Sequence, residues 1–141
     1  GGPPLEEITK SKRRTLYAKV SRVGSEFESD EFLRLFDFPS MRATVSKRPS
    51  SIVPQQFLFL MNSPFMVERA KALSERLHRE AENDQERIGR AYRLLFSRSP
   101  SEEELQMGIL FLSGSSSSAK LLPWQQYGQV LMSSNEFMYV R

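Results

Sequence analysis

Residues 57–61, Phe-Leu-Phe-Leu-Met, are the densest apolar run in the chain, and Pro54 and Pro64 bracket it. Five consecutive apolar side chains predict a buried segment, so the run is expected at the middle of the core. Pro54 suits the first position of a helix, where its missing N–H costs nothing, and the helix is predicted to end near Asn62. Ser63-Pro64 repeats the device, a cap followed by proline. It predicts a long helix to about Ala81 that buries Met66, Ala70, Leu73 and Leu77. Gln55, Gln56 and Asn62 flank the run and are expected to hydrogen-bond backbone at the helix ends rather than a ligand.

Similar signals recur downstream. Asn83 and Glu86 form a cap and its partner for a helix to about Phe96, with Ile88, Ala91, Tyr92 and Leu95 on one face. Ser101 and Glu104 make a second capping box, followed by Leu105, Ile109 and Leu112, and Gly114 closes that helix. Pro123 opens a last helix carrying Trp124, Tyr127 and Leu131, and residues 135–141 read as a turn or short strand anchored by Phe137 and Tyr139. Upstream the pattern is weaker. Alternation over Thr15–Val20 predicts a short strand or an extended arm, and Asp30 is expected to cap a short helix, Glu31–Phe36. Residues 40–51 have no helical period and read as extended.

The fold class expected is mainly α: a helical-hairpin bundle with a short β element near its N-terminus. Residues 1–12 read as a flexible lead-in and 13–141 as a single helical domain. Within it, 13–53 is an extended, short-helix basic part, 54–112 the helical core, 113–122 a flexible loop and 123–141 a C-terminal helix and tail. Two hairpins, joined at Pro64 and near Pro100, are expected to pack on the Phe57–Met61 helix.

At 141 residues the chain has the size of one domain. No apolar stretch approaches the roughly 20 residues needed to cross a bilayer, so no membrane span is expected. Cysteine is absent, which removes disulfides, thiol nucleophiles, thiolate zinc sites and covalent haem attachment from this segment. The chain opens Gly-Gly-Pro-Pro without an initiator Met and reads as a piece of a longer protein. Net charge is only +3, which does not call for a nucleic-acid partner. The charge is unevenly placed: six basic residues and no acid lie between Ile8 and Ser25.

Few residues invite chemistry. His78 is the lone histidine and sits at a helix rim among charged neighbours, where a solvated side chain is the expected state. Glu102, Glu103 and Glu104 fall in a first helical turn, where carboxylates stabilise the dipole. Asp37, flanked by Phe36 and Phe38, needs a cationic partner if buried, and an internal ion pair is favoured over a catalytic acid. Arg13, Arg14, Lys47 and Arg48, with Tyr17 beside them, would form one basic patch if the two extended segments pair. Such a patch suits an anionic ligand or acidic polysaccharide. Arg87, Arg90 and Arg93 recur every three residues, opposite the apolar stripe of their helix. No phosphate loop, metal-ligand spacing or nucleophile elbow occurs.

Five segments occur in order: Arg13-Arg14-Thr15-Leu16-Tyr17; Leu35-Phe36-Asp37-Phe38-Pro39; Pro54 to Phe65; Arg87 to Leu105; and Ser134 to Val140. Together they resemble planctomycete-specific domain one, a family of unknown function, over about residues 1–141. Phe36, Asp37, Pro54, Gln55, Asn62, Pro64, Tyr92, Arg98, Pro100, Glu104, Glu136 and Phe137 are its signature positions here. Two positions depart from the family pattern: Ser97-Arg98-Ser99-Pro100 replaces its usual Arg-Arg-Pro turn, and Gln56 stands where a small residue is usual. The resemblance implies a C-terminal module of a large protein, periplasmic or otherwise exported, that often carries a cytochrome-c-like domain. The expected role is non-catalytic interaction with other domains of the parent chain or a cell-surface partner. No cofactor is expected in this segment, with haem placed elsewhere in the parent. The alternatives are the anionic-ligand patch and a composite hydrolytic site that uses Asp37.

Overall fold

The computed structural model describes residues 2–5, 7, 8, 11, 13–21, 27–36, 38, 46, 54–114 and 121–139. The protein is mainly α. Its helices are α1 (Glu28–Leu35), α2 (Pro54–Asn62), α3 (Pro64–Glu80), α4 (Asp84–Phe96), α5 (Glu102–Gly114), α6 (Pro123–Met132) and α7 (Asn135–Met138). They belong to two compact units, Gly1–Leu58 and Phe59–Arg141, with the boundary inside α2.

In the first unit the strand expected over Thr15–Val20 is replaced by a 3-10 turn, Thr15–Tyr17. The Tyr17 and Ala18 amides close back on the Arg14 and Thr15 carbonyls at 3.1 and 2.9 Å, so alternation in the sequence does not become a ladder. Among the described residues, what remains of β structure is one parallel bridge between Leu5 and Ala18. Helix α1 starts three residues before the expected Glu31, with Phe27 at its cap. Asp30 is therefore not the N-cap. Its carboxylate reaches back from the third helical position to accept the Phe27 amide at 3.1 Å and the Ser21 amide at 3.0 Å. Those bonds satisfy both oxygens of a buried side chain. Buried Gln56 donates through Nε2 to the Leu35 carbonyl at 2.9 Å, satisfying an orphan acceptor at the end of α1. The bond goes to backbone rather than a ligand, but it closes the end of α1 and not the entry of α2, where the sequence placed it. The extended segment expected over 40–51 lies outside the described residues, apart from Ser46.

The second unit is a four-helix bundle. Its helices pack in the ring order α3, α4, α5, α6, with the one-turn α7 against α4 and α6. Start signals act as expected. The Ser63 hydroxyl accepts the Phe65 amide at 3.2 Å, and Asn83 Oδ1 accepts the Glu86 amide at 2.9 Å. Ser101 Oγ accepts the Glu104 amide at 3.2 Å, while Glu104 returns a 2.7 Å bond to the Ser101 amide.

The centre of the bundle is not the 57–61 run. Of that run only Leu60 is buried; Leu58 and Met61 are 58% and 60% exposed. Five consecutive residues of a helix turn through all sides, so they cannot all face one core. The place expected for α2 belongs to α6, which buries Trp124, Tyr127, Gly128, Leu131 and Met132. Trp124, Tyr127 and Leu131 join Leu77, Ile88, Ala91 and Tyr92 in the main cluster. Met132 joins Leu60, Met66 and Ala70 in a second. Small residues permit the close fit: a Cβ on Gly128 would lie 3.4 Å from Leu73, and one on Gly108 only 2.6 Å from the Tyr127 hydroxyl.

Candidate functional site

The most elaborate polar group in the described residues forms where α4 ends. Ser97 takes a left-handed conformation (φ 59°, ψ 22°) that stops α4 and turns the chain toward α5. The next residue, Arg98, comes to lie over the Tyr92 ring, 5.2 Å from its centroid. Its guanidinium meets two carboxylates. Nη2 and Nη1 donate to Glu104 at 2.7 and 2.8 Å, and Nε and Nη2 donate to Glu136 at 2.6 and 2.7 Å. Nη1 also donates to the Ser99 carbonyl at 3.1 Å. Every N–H of the fork is thus engaged.

The electrostatics follow from that geometry. Hydrogen bonds from Arg98 are the main reason the Glu104 carboxyl is lowered to about 2, with the Ser101 amide contributing. The same guanidinium lowers Glu136, and the two carboxylates together raise Arg98 further above its already high value. Beneath the cluster, burial pushes the hydrogen-bonded hydroxyls of Tyr92 and Tyr127 upward, so both stay protonated. Such an arrangement clamps α4, α5 and α7 together. It leaves no guanidinium donor for a ligand and no carboxylate poised as a base near neutrality.

The signature residues divide accordingly. Tyr92, Arg98, Glu104 and Glu136 meet in this clamp, and Pro100 lies in the turn between its helices. Phe137, in α7, sends its amide to the Ser134 hydroxyl at 3.3 Å. Pro54 opens α2 and Pro64 opens α3, while Gln55 and Asn62 are exposed at the two ends of α2. Phe36 stacks obliquely on Phe32, 5.2 Å between centroids.

Of the expected basic patch, Arg13 lies 4.2 Å over the Tyr17 ring and donates to the Pro3 carbonyl at 2.8 Å, and Arg14 is exposed. Lys47, Arg48 and Asp37 lie outside the described residues. A shallow concavity of about 450 Å³ beside this turn is lined by Thr15, Leu16, Ala18, Val20, Leu33 and Phe38. His78 is exposed as expected, with Nδ1 2.7 Å from the Ser74 carbonyl and its ring edge-on to Trp124. Among the described residues no group of three His, Cys, Asp or Glu could hold a metal ion, and no helix is long and apolar enough to cross a membrane.

The bundle surface is sharply divided. The α3–α4 side is charged and cross-linked. Glu80 bridges Arg76 at 2.7 Å and Arg90 at 2.8 Å, which lowers its own carboxyl. Arg87 pairs with Asp84 at 2.9 Å and donates to the Ala81 and Glu82 carbonyls at the end of α3. Two of the three regularly spaced arginines are therefore spent on the fold. The α5–α6 side is the opposite. Leu110 is 68% exposed, Met107 62% and Val130 54%, with Phe111 and Leu122 also exposed. Sequence reasoning placed the buried stripe of α5 but missed this outward one. Its signal is present, since Lys120 is the single charged residue between Glu104 and Glu136.

A family model described as PSD1, Protein of unknown function (DUF1553), matches residues 4–112. The match takes in the Arg98–Glu104 pair and stops before α6 and Glu136. No curated protein and no solved structure matches the chain.

Proposed function

We propose that this chain, which belongs to the PSD1 family of proteins of unknown function, is a non-catalytic interaction module that docks through the α5–α6 side of its bundle. The observation that carries the reading is the division of the surface. A solvent-facing helix pair ordinarily bears charges on its outer positions. Here α6 has none and α5 has them only in its first turn. Depletion of charge with apolar and amide residues left exposed is the composition of an interface core. The resemblance supports a setting for it: the C-terminal part of a large protein, periplasmic or otherwise exported, with a cytochrome-c-like domain elsewhere in the parent and other parent domains or a cell-surface protein as partners.

Introduced cysteines, with labelling read at the peptide that carries each, test the reading, because this segment has none of its own. Met107→Cys on α5 and Arg79→Cys on α3 are compared for maleimide labelling, in the longer parent protein and in this chain alone. The expected result is slowed labelling at position 107 in the parent and equal labelling at position 79 in both. Unprotected labelling at 107 in the parent would refute the docking role. Salt-sensitive binding of a sulfated polymer, lost in Arg14→Ala, would instead favour an anionic-ligand role.

A further inference from the structure

We infer that the turn Thr15–Tyr17 and the residues around it form a membrane-surface site: Leu16 enters the headgroup layer of an anionic phospholipid bilayer while the neighbouring cations meet the lipid phosphates. The site belongs to the first unit and does not rest on the docking role of α5 and α6.

Two independent observations coincide there. The first is apolar exposure. Leu16 is 78% exposed, more than any other large apolar side chain among the described residues. It is the middle residue of the 3-10 turn, which Arg14 enters in an extended conformation and which the Tyr17 and Ala18 amides close. The backbone that presents it is tied down: the Leu5 amide donates to the Tyr17 carbonyl at 2.7 Å, and the Lys19 amide to the Leu5 carbonyl at 2.9 Å. Tyr17 and Phe38 are each 38% exposed, and Phe38 shares the shallow concavity with Leu16, Ala18, Val20 and Leu33.

The second observation is charge. The first unit carries ten basic and seven acidic residues and the second carries ten of each, so the whole net charge of +3 belongs to the first. Its cations gather about the turn in sequence: Lys10, Lys12, Arg13, Arg14, Lys19 and Arg22, with no acid between Ile8 and Ser25. Arg14 is exposed directly before the turn, and Arg13 lies over the Tyr17 ring. Among the described residues no acid lines the concavity, and the Asp30 carboxylate is buried on the Ser21 and Phe27 amides.

The combination selects the partner. An acidic polysaccharide would meet the cations but has no use for an exposed leucine, and a neutral apolar groove has no use for the cations. An anionic bilayer takes both, because its phosphates lie directly above an apolar interior. Tyrosine suits that boundary, with an apolar ring and a polar hydroxyl. Each Lys or Arg close to such a surface strengthens binding about fivefold, and burial of one leucine does so at least about tenfold. Neither contribution alone holds a protein on a bilayer; together they give reversible, salt-sensitive attachment.

Co-sedimentation of the 141-residue chain with vesicles reads the attachment. One set is phosphatidylcholine alone, and the other contains about 30% phosphatidylglycerol, an anionic lipid. The expected result is binding to the anionic set only, lost as salt rises from about 0.1 to 0.5 M. Leu16→Ser, which leaves the charge unchanged, should weaken binding at least about tenfold, and Arg14→Ala about fivefold. Circular dichroism of both variants should match the unaltered chain, because both side chains are exposed and neither belongs to a core cluster. An environment-sensitive fluorophore on Leu16→Cys should shift to the blue with anionic vesicles, and the same label on Arg79→Cys of α3 should not. Absence of binding to anionic vesicles, or binding indifferent to Leu16→Ser, overturns the membrane assignment. Equal binding of the unaltered chain and Leu16→Ser to dextran sulfate, with none to vesicles, overturns it in favour of an acidic polysaccharide.

Discussion

At the scale of single residues, Arg98 concentrates most of the polar order of the bundle. It holds two carboxylates and a carbonyl, and Glu104 also serves as the returning arm of the α5 capping box. Both carboxyls titrate below their ordinary range, so the folded state binds their protons less readily than the unfolded chain does. Their contribution is complete above the unfolded value of about 4.5 and is lost as pH falls toward the folded values, about 2 for Glu104. Thermal unfolding followed between about pH 5 and pH 2 should show the midpoint falling on acidification. Arg98→Ala should lower the midpoint at neutral pH and flatten the profile across that window. An unchanged acid limb in Arg98→Ala would mean that the clamp contributes nothing to stability. Part of this cluster is legible in the chain itself, since Ser101 and Glu104 stand at capping-box spacing. The link to Glu136 is not, because 38 residues separate it from Arg98 and no local rule joins them.

At the scale of elements, the helix starts are the most readable feature. Ser63-Pro64, Asn83, Ser101 and Pro123 each mark a start within one residue, because a cap is decided by atoms three residues apart. Errors arise where a distant contact decides. Asp30 resembles an N-cap, but its bond to the Ser21 amide draws it into the helix, and the 57–61 run lost the central place to α6. Two glycines separate local preference from packing. Gly89, within α4, has open space where a Cβ would stand, so Gly89→Ala should stabilise by roughly 0.5–1 kcal/mol through backbone entropy. Gly108, within α5, would thrust a Cβ to 2.6 Å from the Tyr127 hydroxyl and 2.9 Å from Ile88. Gly108→Ala should therefore destabilise by roughly 1–3 kcal/mol despite its better helix propensity. Urea denaturation of the pair measures both, and equal signs would contradict the packing around Gly108.

At the scale of the whole molecule, the apolar clusters state which part of the chain can stand alone. Among the described residues, every member of the main cluster comes from residues 73–131, and every member of the second from residues 59–138. A chain beginning at Pro54 keeps the start of α2, both clusters, the Arg98 clamp and the bond from Gln129 to the Met61 carbonyl. It should fold cooperatively, with a thermal midpoint within a few degrees of that of the 141-residue chain, because it keeps every described member of both clusters. Circular dichroism melting and near-ultraviolet ellipticity of Trp124 decide the point. A broad, non-cooperative melt with Trp124 ellipticity lost would show that residues 1–53 complete the core. A sharp transition would assign the bundle its own stability, and its charge-free side would then be a surface maintained for contact rather than a requirement of the fold.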